Sequence, residues 1–213
     1  MLTKIKAKVQ EIISTEARLM HKLGFKPNTV SFIGVVLGIF SGVTYWAAGA
    51  TSTHIETYRI RIFLALLLLL FSGFCDALDG ALARLYGETT VLGGFLDSLL
   101  DRYVDAAVLC GLILGGLCEP LWGLLALIGS LLTSYARARS EAAGIPMESI
   151  GLVERAERIL IMAVASAINV ILPETPSLNT GTIILALASN ITVIQRTLYF
   201  SSRARPKAKV SSK

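Results

Sequence analysis

Charge is scarce in this chain. Asp, Glu, Lys and Arg make up 16% of 213 residues, against 54% hydrophobic residues and a mean hydropathy of +0.65. That balance excludes an ordinary soluble domain and points to a polytopic membrane protein. Cysteine is scarce too. Cys75, Cys110 and Cys118 each lie in or beside an apolar run, so they read as small apolar residues rather than as a disulfide framework. There are two histidines, and His54 falls in a polar loop where solvation suffices. Residues 1–23 have no continuous apolar core, so no cleaved signal peptide is expected there. No GxGxxG precedes a helix, and there is no P-loop, no Ser-His-Asp spacing and no internal repeat.

What is present is a series of long apolar stretches between short polar breaks. Residues 29–50, 60–85, 92–117, 121–138, 155–172 and 180–200 are each read as a transmembrane helix, giving six spans in an all-α fold. Ahead of them, Leu2, Ile5, Val9, Ile12, Ile13, Ala17, Met20 and Leu23 recur at helical spacing while lysines populate the other faces. Residues 1–23 therefore read as an amphipathic helix lying in the headgroup plane, with a soluble helix packed on a neighbour as the alternative. Residues 24–202 form the membrane domain, and 203–213 a basic tail. Of the 20 Lys and Arg, only Arg59 and Arg61 fall at connections opposite the termini. The asymmetry puts both termini on the cytoplasmic side of the cell membrane. The same flanking positions account for the basic residues without nucleic acid, which is not an expected partner.

The charge that does exist is concentrated. Residues 76–105 read DALDGALARLYGETTVLGGFLDSLLDRYVD and hold five aspartates between apolar runs. Asp76 and Asp79 are three apart, and Asp97, Asp101 and Asp105 are four apart, so each set shares one helix face. A short turn containing Gly87, then Gly93 and Gly94, would bring the two faces together. Carboxylates inside a membrane are costly, which makes the hairpin a functional site by default. With Arg84 and Arg102 included, the cluster carries about −3 unless cations bind. All-carboxylate ligation suits hard cations, Mg²⁺ first and Mn²⁺ as the alternative, and two of them would nearly neutralise it. From Ile60 to Asp76 is roughly 24 Å of helix rise, so the cluster lies just inside the cytoplasmic interface, where a soluble substrate and a lipid headgroup can meet.

The spacing Asp76-x-x-Asp79-Gly80-x-x-Ala83-Arg84, then Gly93, Asp97 and Asp101, resembles the signature of the CDP-alcohol phosphatidyltransferases, matched at every position. That family is also built of an interfacial helix and six transmembrane helices. The resemblance implies that Asp76, Asp79, Asp97 and Asp101 hold two divalent cations and that Asp101 is also the general base. It implies that Gly80 and Ala83 let a nucleotide approach the helix, that Arg84 contacts the diphosphate of a CDP-lipid, and that Gly93 packs closely at the start of the third span. KPNTVS, residues 26–31, looks like the family's entry to the first span, with Asn28 and Ser31 beside the cytidine. A homodimer is expected on the same ground. The chemistry fits the residues: an alcohol is a poor nucleophile and needs a base and a polarised phosphorus.

The acceptor is read from SYARARSEAAGIPMESIGLVERAERIL, residues 134–160, and the later IQRTL. Arginines at the cytoplasmic ends of the last three spans can form a phosphate pocket, which calls for a phosphorylated alcohol. These pieces are similar to the inositol-phosphate-using branch of the family, the phosphatidylinositol-phosphate and archaetidylinositol-phosphate synthases. By that resemblance Arg137, Arg155 and Arg196 bind the acceptor's phosphate. Arg158 and Glu154 could orient these groups. Arg137 and Ala156 stand where actinobacterial members tend to carry Lys and Pro. The donor is CDP-archaeol or CDP-diacylglycerol. Asp105 either belongs to the site or pairs with an arginine. Glycerol 3-phosphate or serine are the alternative acceptors, and a divalent-cation transporter or a scaffold without chemistry are the alternatives of another class. A transporter would hold its ion near the midplane and not beside Arg84.

Overall fold

The computed structural model describes residues 13–204, and among them the regular structure is entirely helical. Helix α1 comprises residues 13–22 of the described chain. It is followed by α2 (Pro27–Gly49), α3 (Ile55–Tyr86), α4 (Val91–Leu114), α5 (Pro120–Ala142), α6 (Arg155–Ile171) and α7 (Ser177–Ala204). The breaks have local causes. Pro27 and Pro120 occupy the first helical positions of α2 and α5, where a missing N–H costs nothing. Gly87 ends α3 in the left-handed region, at φ 67°. Thr90 caps α4, its Oγ1 accepting from Gly93 N at 2.9 Å. Gly93 and Gly94 therefore lie in the first turn of α4 and not in the connecting turn, because the Thr90 cap starts the helix before them. Likewise α3 begins at Ile55, ahead of the expected start at residue 60, and α5 continues past the expected end at residue 138 to Ala142.

Helices α2, α3, α5 and α7 are long and apolar enough to cross a membrane. Of the other two expected spans, α6 has 17 residues and α4 carries Asp97, Asp101, Arg102 and Asp105. Residues 1–12, most of the expected amphipathic segment, and 205–213, most of the basic tail, lie outside the described residues. The described part of α1 packs through Ala17 and Ile13 on Val30, Leu78, Ala81 and Leu82. The His21 ring stacks on Tyr86 at 3.5 Å between centroids.

Packing is inverted relative to a soluble protein, as a membrane protein requires. Large apolar side chains such as Phe32, Phe40, Trp46, Phe63 and Phe71 are exposed, while buried positions are rich in Ala, Ser and Thr. Small residues let backbones approach. A Cβ added at Gly42 would collide with the Ala107 backbone, and one at Gly111 with the Gly42 carbonyl, so α2 and α4 touch main chain to main chain. Several buried polar groups pair across helices, where no water can serve them. Ser41 Oγ donates to Ala65 O at 2.8 Å, Tyr58 OH donates to Asn169 Oδ1 at 2.6 Å, and Tyr45 OH meets Ser166 Oγ at 2.6 Å.

Two packed groups result. Helix α2 lies against α3 and α4, α5 lies against α7, and the groups are joined both by α6, which touches α3 and α7, and by α4 against α5. This arrangement brings the start of α6 to the acidic ends of α3 and α4.

Candidate active site

Helical periodicity sets the acidic part of the site. Single carboxylate oxygens of Asp76, Asp97 and Asp101 lie within 4.8 Å of one another, across the α3–α4 hairpin. Asp79, one turn from Asp76, is 6% exposed, and its Oδ2 has no hydrogen-bond partner. A buried, unpartnered carboxylate oxygen beside three converging carboxylates is costly by itself and fits a nearby cation. The donor set is all oxygen, which suits Mg²⁺ or Mn²⁺ rather than a softer metal.

The first turn of α6 enters this cluster. Glu154 caps that helix reciprocally with Glu157, Glu154 N donating to Glu157 Oε2 at 2.9 Å, and this directs Arg155 inward. Arg155 Nη1 lies 2.7 Å from Asp76 Oδ1 and 2.6 Å from Asp101 Oδ1. These are charge contacts without hydrogen-bond alignment: Nη1 and Nε are buried and have no hydrogen-bond acceptor. Arg102 Nη1 is 3.7 Å from Asp101 Oδ2. Deeper, Arg158 Nη2 donates to Asp105 Oδ2 at 2.8 Å, so of the two readings of Asp105 the structure bears out pairing with an arginine.

Two cavities flank the cluster and share Asp97. One, of about 190 Å³, is lined by Asp79 and Asp97 and by all six residues expected at a CDP-lipid: Asn28, Ser31, Gly80, Ala83, Arg84 and Gly93. The Arg84 guanidinium folds over Gly80, where an added Cβ would stand 3.3 Å from Nη1, and Gly93 faces Asn28. The other cavity, of about 440 Å³, is lined by Asp97 and Asp101 and by Arg137, Arg155 and Arg196, the three arginines expected at an acceptor phosphate.

These arginines are not equally free. Arg137 Nε donates to Glu141 at 2.8 Å near the surface. Arg196 is 4% exposed, and its Nε and Nη1 donate to Ile150 O at 2.8 Å and Thr133 O at 2.6 Å. Thr192 Oγ1 accepts from Leu152 N and Val153 N, each at 3.1 Å, so α7 pins the segment that leads into α6. The wall also contains Arg102, which the sequence already counted in the charge of the cluster, and Thr133, Ser134 and Glu141, which it did not single out.

A family model for CDP-alcohol phosphatidyltransferase matches residues 25–194, which include the whole lining of the smaller cavity and all of the larger one's except Arg196. The chain belongs to the CDP-alcohol phosphatidyltransferase family. It is accordingly a phosphatidyltransferase of phospholipid biosynthesis and an integral membrane protein. It is 38% identical over 196 residues to the archaetidylinositol phosphate synthase of Pyrococcus horikoshii, covering 92% of this chain and 94% of that one. It is 30% identical over 199 residues to the phosphatidylinositol phosphate synthase of Mycobacterium tuberculosis, covering 90% and 86%. Crystal structures of the Mycobacterium tuberculosis enzyme are similar to it. The form with CDP-DAG bound has a TM-score of 0.75 at 28% identity, covering 93% of this chain and 99% of that one. The form in complex with manganese and citrate has a TM-score of 0.74 at 28% identity, covering 92% and 93%.

Proposed function

We propose that this phosphatidyltransferase transfers the lipid phosphate of CDP-archaeol, or of CDP-diacylglycerol, to an inositol phosphate and releases CMP. The observation that carries this reading is the pair of cavities meeting at Asp97. One has small residues and Arg84 on its wall, as a nucleotide diphosphate requires; the other is lined by arginines, as a phosphorylated alcohol requires. The relatives named for inositol phosphate products, and the one solved with CDP-DAG, support both assignments. The higher identity to an archaetidylinositol phosphate synthase than to the phosphatidylinositol phosphate synthase favours the archaeal lipid.

In this reading Asn28 and Ser31 hold the cytidine, Gly80, Ala83 and Gly93 leave room for it, and Arg84 holds the diphosphate. Arg137, Arg155 and Arg196 hold the acceptor's phosphate, adding to the positive end of α6. Asp101 takes the proton from the attacking hydroxyl of the inositol phosphate. A bond forms from that oxygen to the phosphorus bearing the lipid, the bond from that phosphorus to CMP breaks, and CMP leaves. Two Mg²⁺ or Mn²⁺ held by Asp76, Asp79, Asp97 and Asp101 would neutralise diphosphate charge and stabilise the leaving group. A relative solved with manganese supports divalent-metal use.

The proposal includes six membrane crossings in residues 24–202, an interfacial segment at 1–23, a basic tail at 203–213, cytoplasmic termini and active site, and a homodimer. The test is CMP release from membranes containing the protein, given Mg²⁺, either CDP-lipid, and inositol phosphate, glycerol 3-phosphate or serine. Release with inositol phosphate alone is expected. Release with glycerol 3-phosphate instead would move the acceptor assignment, and none with any acceptor would remove the reading.

A further inference from the structure

Asp105 lies outside the motif that the family resemblance rests on, one helical turn deeper than Asp101. On α6, Arg155 and Arg158 are three residues apart and share a face; on α4, Asp101 and Asp105 are four apart and share the opposing face. Two rungs result, Arg155 to Asp101 and Arg158 to Asp105. They are not equivalent. The Arg158 rung is hydrogen-bonded at 2.8 Å, whereas Arg155 has no aligned acceptor and its Nε stands 3.8 Å from Asp105 Oδ1.

We infer that Asp105, fixed by Arg158, is a positioning residue that orients the Arg155 guanidinium toward the acceptor's phosphate. The inference rests on the acceptor pocket proposed above. Asp76 and Asp101 cannot both ligate cations and keep Arg155 as their close neighbour. Once they are engaged, Asp105 is the remaining carboxylate within 4 Å of Arg155 among the described residues. A small turn of the side chain brings Nε onto Asp105 Oδ1. The two Nη groups are then left for a phosphate in the cavity that Arg155 already lines. The charge count agrees: Asp105 offsets Arg158, and Arg155 keeps its whole charge for the ligand. Two buried arginines one turn apart would otherwise repel each other.

The experiment is calorimetric titration of detergent-solubilised, Mn²⁺-loaded protein with inositol phosphate and, separately, with inorganic phosphate. Asp105→Asn keeps the shape and an acceptor for Arg158 but removes the charge. It should weaken both phosphate ligands at least tenfold while Mn²⁺ and CDP affinities stay within twofold, and Asp105→Glu should recover part of the loss. Unchanged phosphate affinity in Asp105→Asn would overturn the inference, as would a parallel loss of Mn²⁺ or CDP binding. If Asp105→Asn does not fold, the paired variant Asp105→Leu with Arg158→Met removes the buried ion pair without stranding either charge. It should show the same selective loss, and wild-type phosphate affinity there would equally sink the idea. CMP release by the wild-type protein tests the acceptor reading separately. A wild-type protein that binds inorganic phosphate but not inositol phosphate would remove that reading and leave the Asp105 comparison to be decided with phosphate.

Discussion

Arg155→Gln should change two affinities in opposite directions. In the structure Arg155 Nη1 lies 2.7 Å and 2.6 Å from oxygens of Asp76 and Asp101, two of the three carboxylates that converge. A cation taken up by both must displace that nitrogen. At an effective dielectric constant near 20, each contact contributes about 6 kcal/mol of gross Coulomb attraction. Desolvating the guanidinium offsets several kcal/mol of that, and neither contact has hydrogen-bond alignment. Desolvating the two carboxylates offsets several kcal/mol for each as well, so the net competition is about 1–2 kcal/mol, equivalent to a 5- to 30-fold effect on affinity. Removing the positive charge should therefore tighten Mn²⁺ binding by about that factor, read by electron paramagnetic resonance titration. The same variant should raise the KM for inositol phosphate well above tenfold while the KM for the CDP-lipid moves little. In metal-free buffer it should melt earlier than wild type, because three close carboxylates lose their neutralising neighbour, and Mn²⁺ should close the gap. Weaker or unchanged Mn²⁺ binding would refute the competition. A KM increase confined to the CDP-lipid would place Arg155 outside the acceptor pocket.

Three other comparisons separate chemistry from architecture. Asp101→Asn should abolish CMP release while CDP-lipid and Mn²⁺ still bind, as measured by equilibrium binding; comparable loss of binding would make Asp101 a ligand first and a base second. Arg196→Met leaves Thr133 O and Ile150 O without their buried donor and should cost about 3 kcal/mol, seen as a fall of roughly 6–10 °C in Tm. A Tm within about 2 °C of wild type would show that those bonds contribute little. Gly42→Ala should destabilise by about 1–3 kcal/mol, because its Cβ would meet the Ala107 backbone. Gly94→Ala, with open space around it in α4, should be neutral or stabilising by up to about 1 kcal/mol. Thermal unfolding in one detergent compares the two, and the reverse order would contradict the packing described.

The acidic half of the site was legible in the sequence because helical periodicity turns spacing into geometry. Residues three or four apart share a face whatever the rest of the chain does, so spacing alone aligns Asp76 with Asp79, and Asp97 with Asp101. A different rule erred at Gly93 and Gly94. Glycine pairs read as turns, yet the Thr90 cap starts α4 before them. The apolar runs located the helices, and their composition already required lipid surroundings. What composition could not supply was partnership across long separations. Asp105 and Arg158 are 53 residues apart, and their bond exists because α6 docks between the two packed groups of helices. Arg196 looked in sequence like one of three equivalent phosphate ligands. Only packing revealed that two of its donors hold the Thr133 and Ile150 carbonyls. The sequence by itself determined what chemistry the hairpin could carry, since that is local. The tertiary structure decided which arginine meets which aspartate, because buried charges are placed by the docking of whole helices and not by the residues beside them.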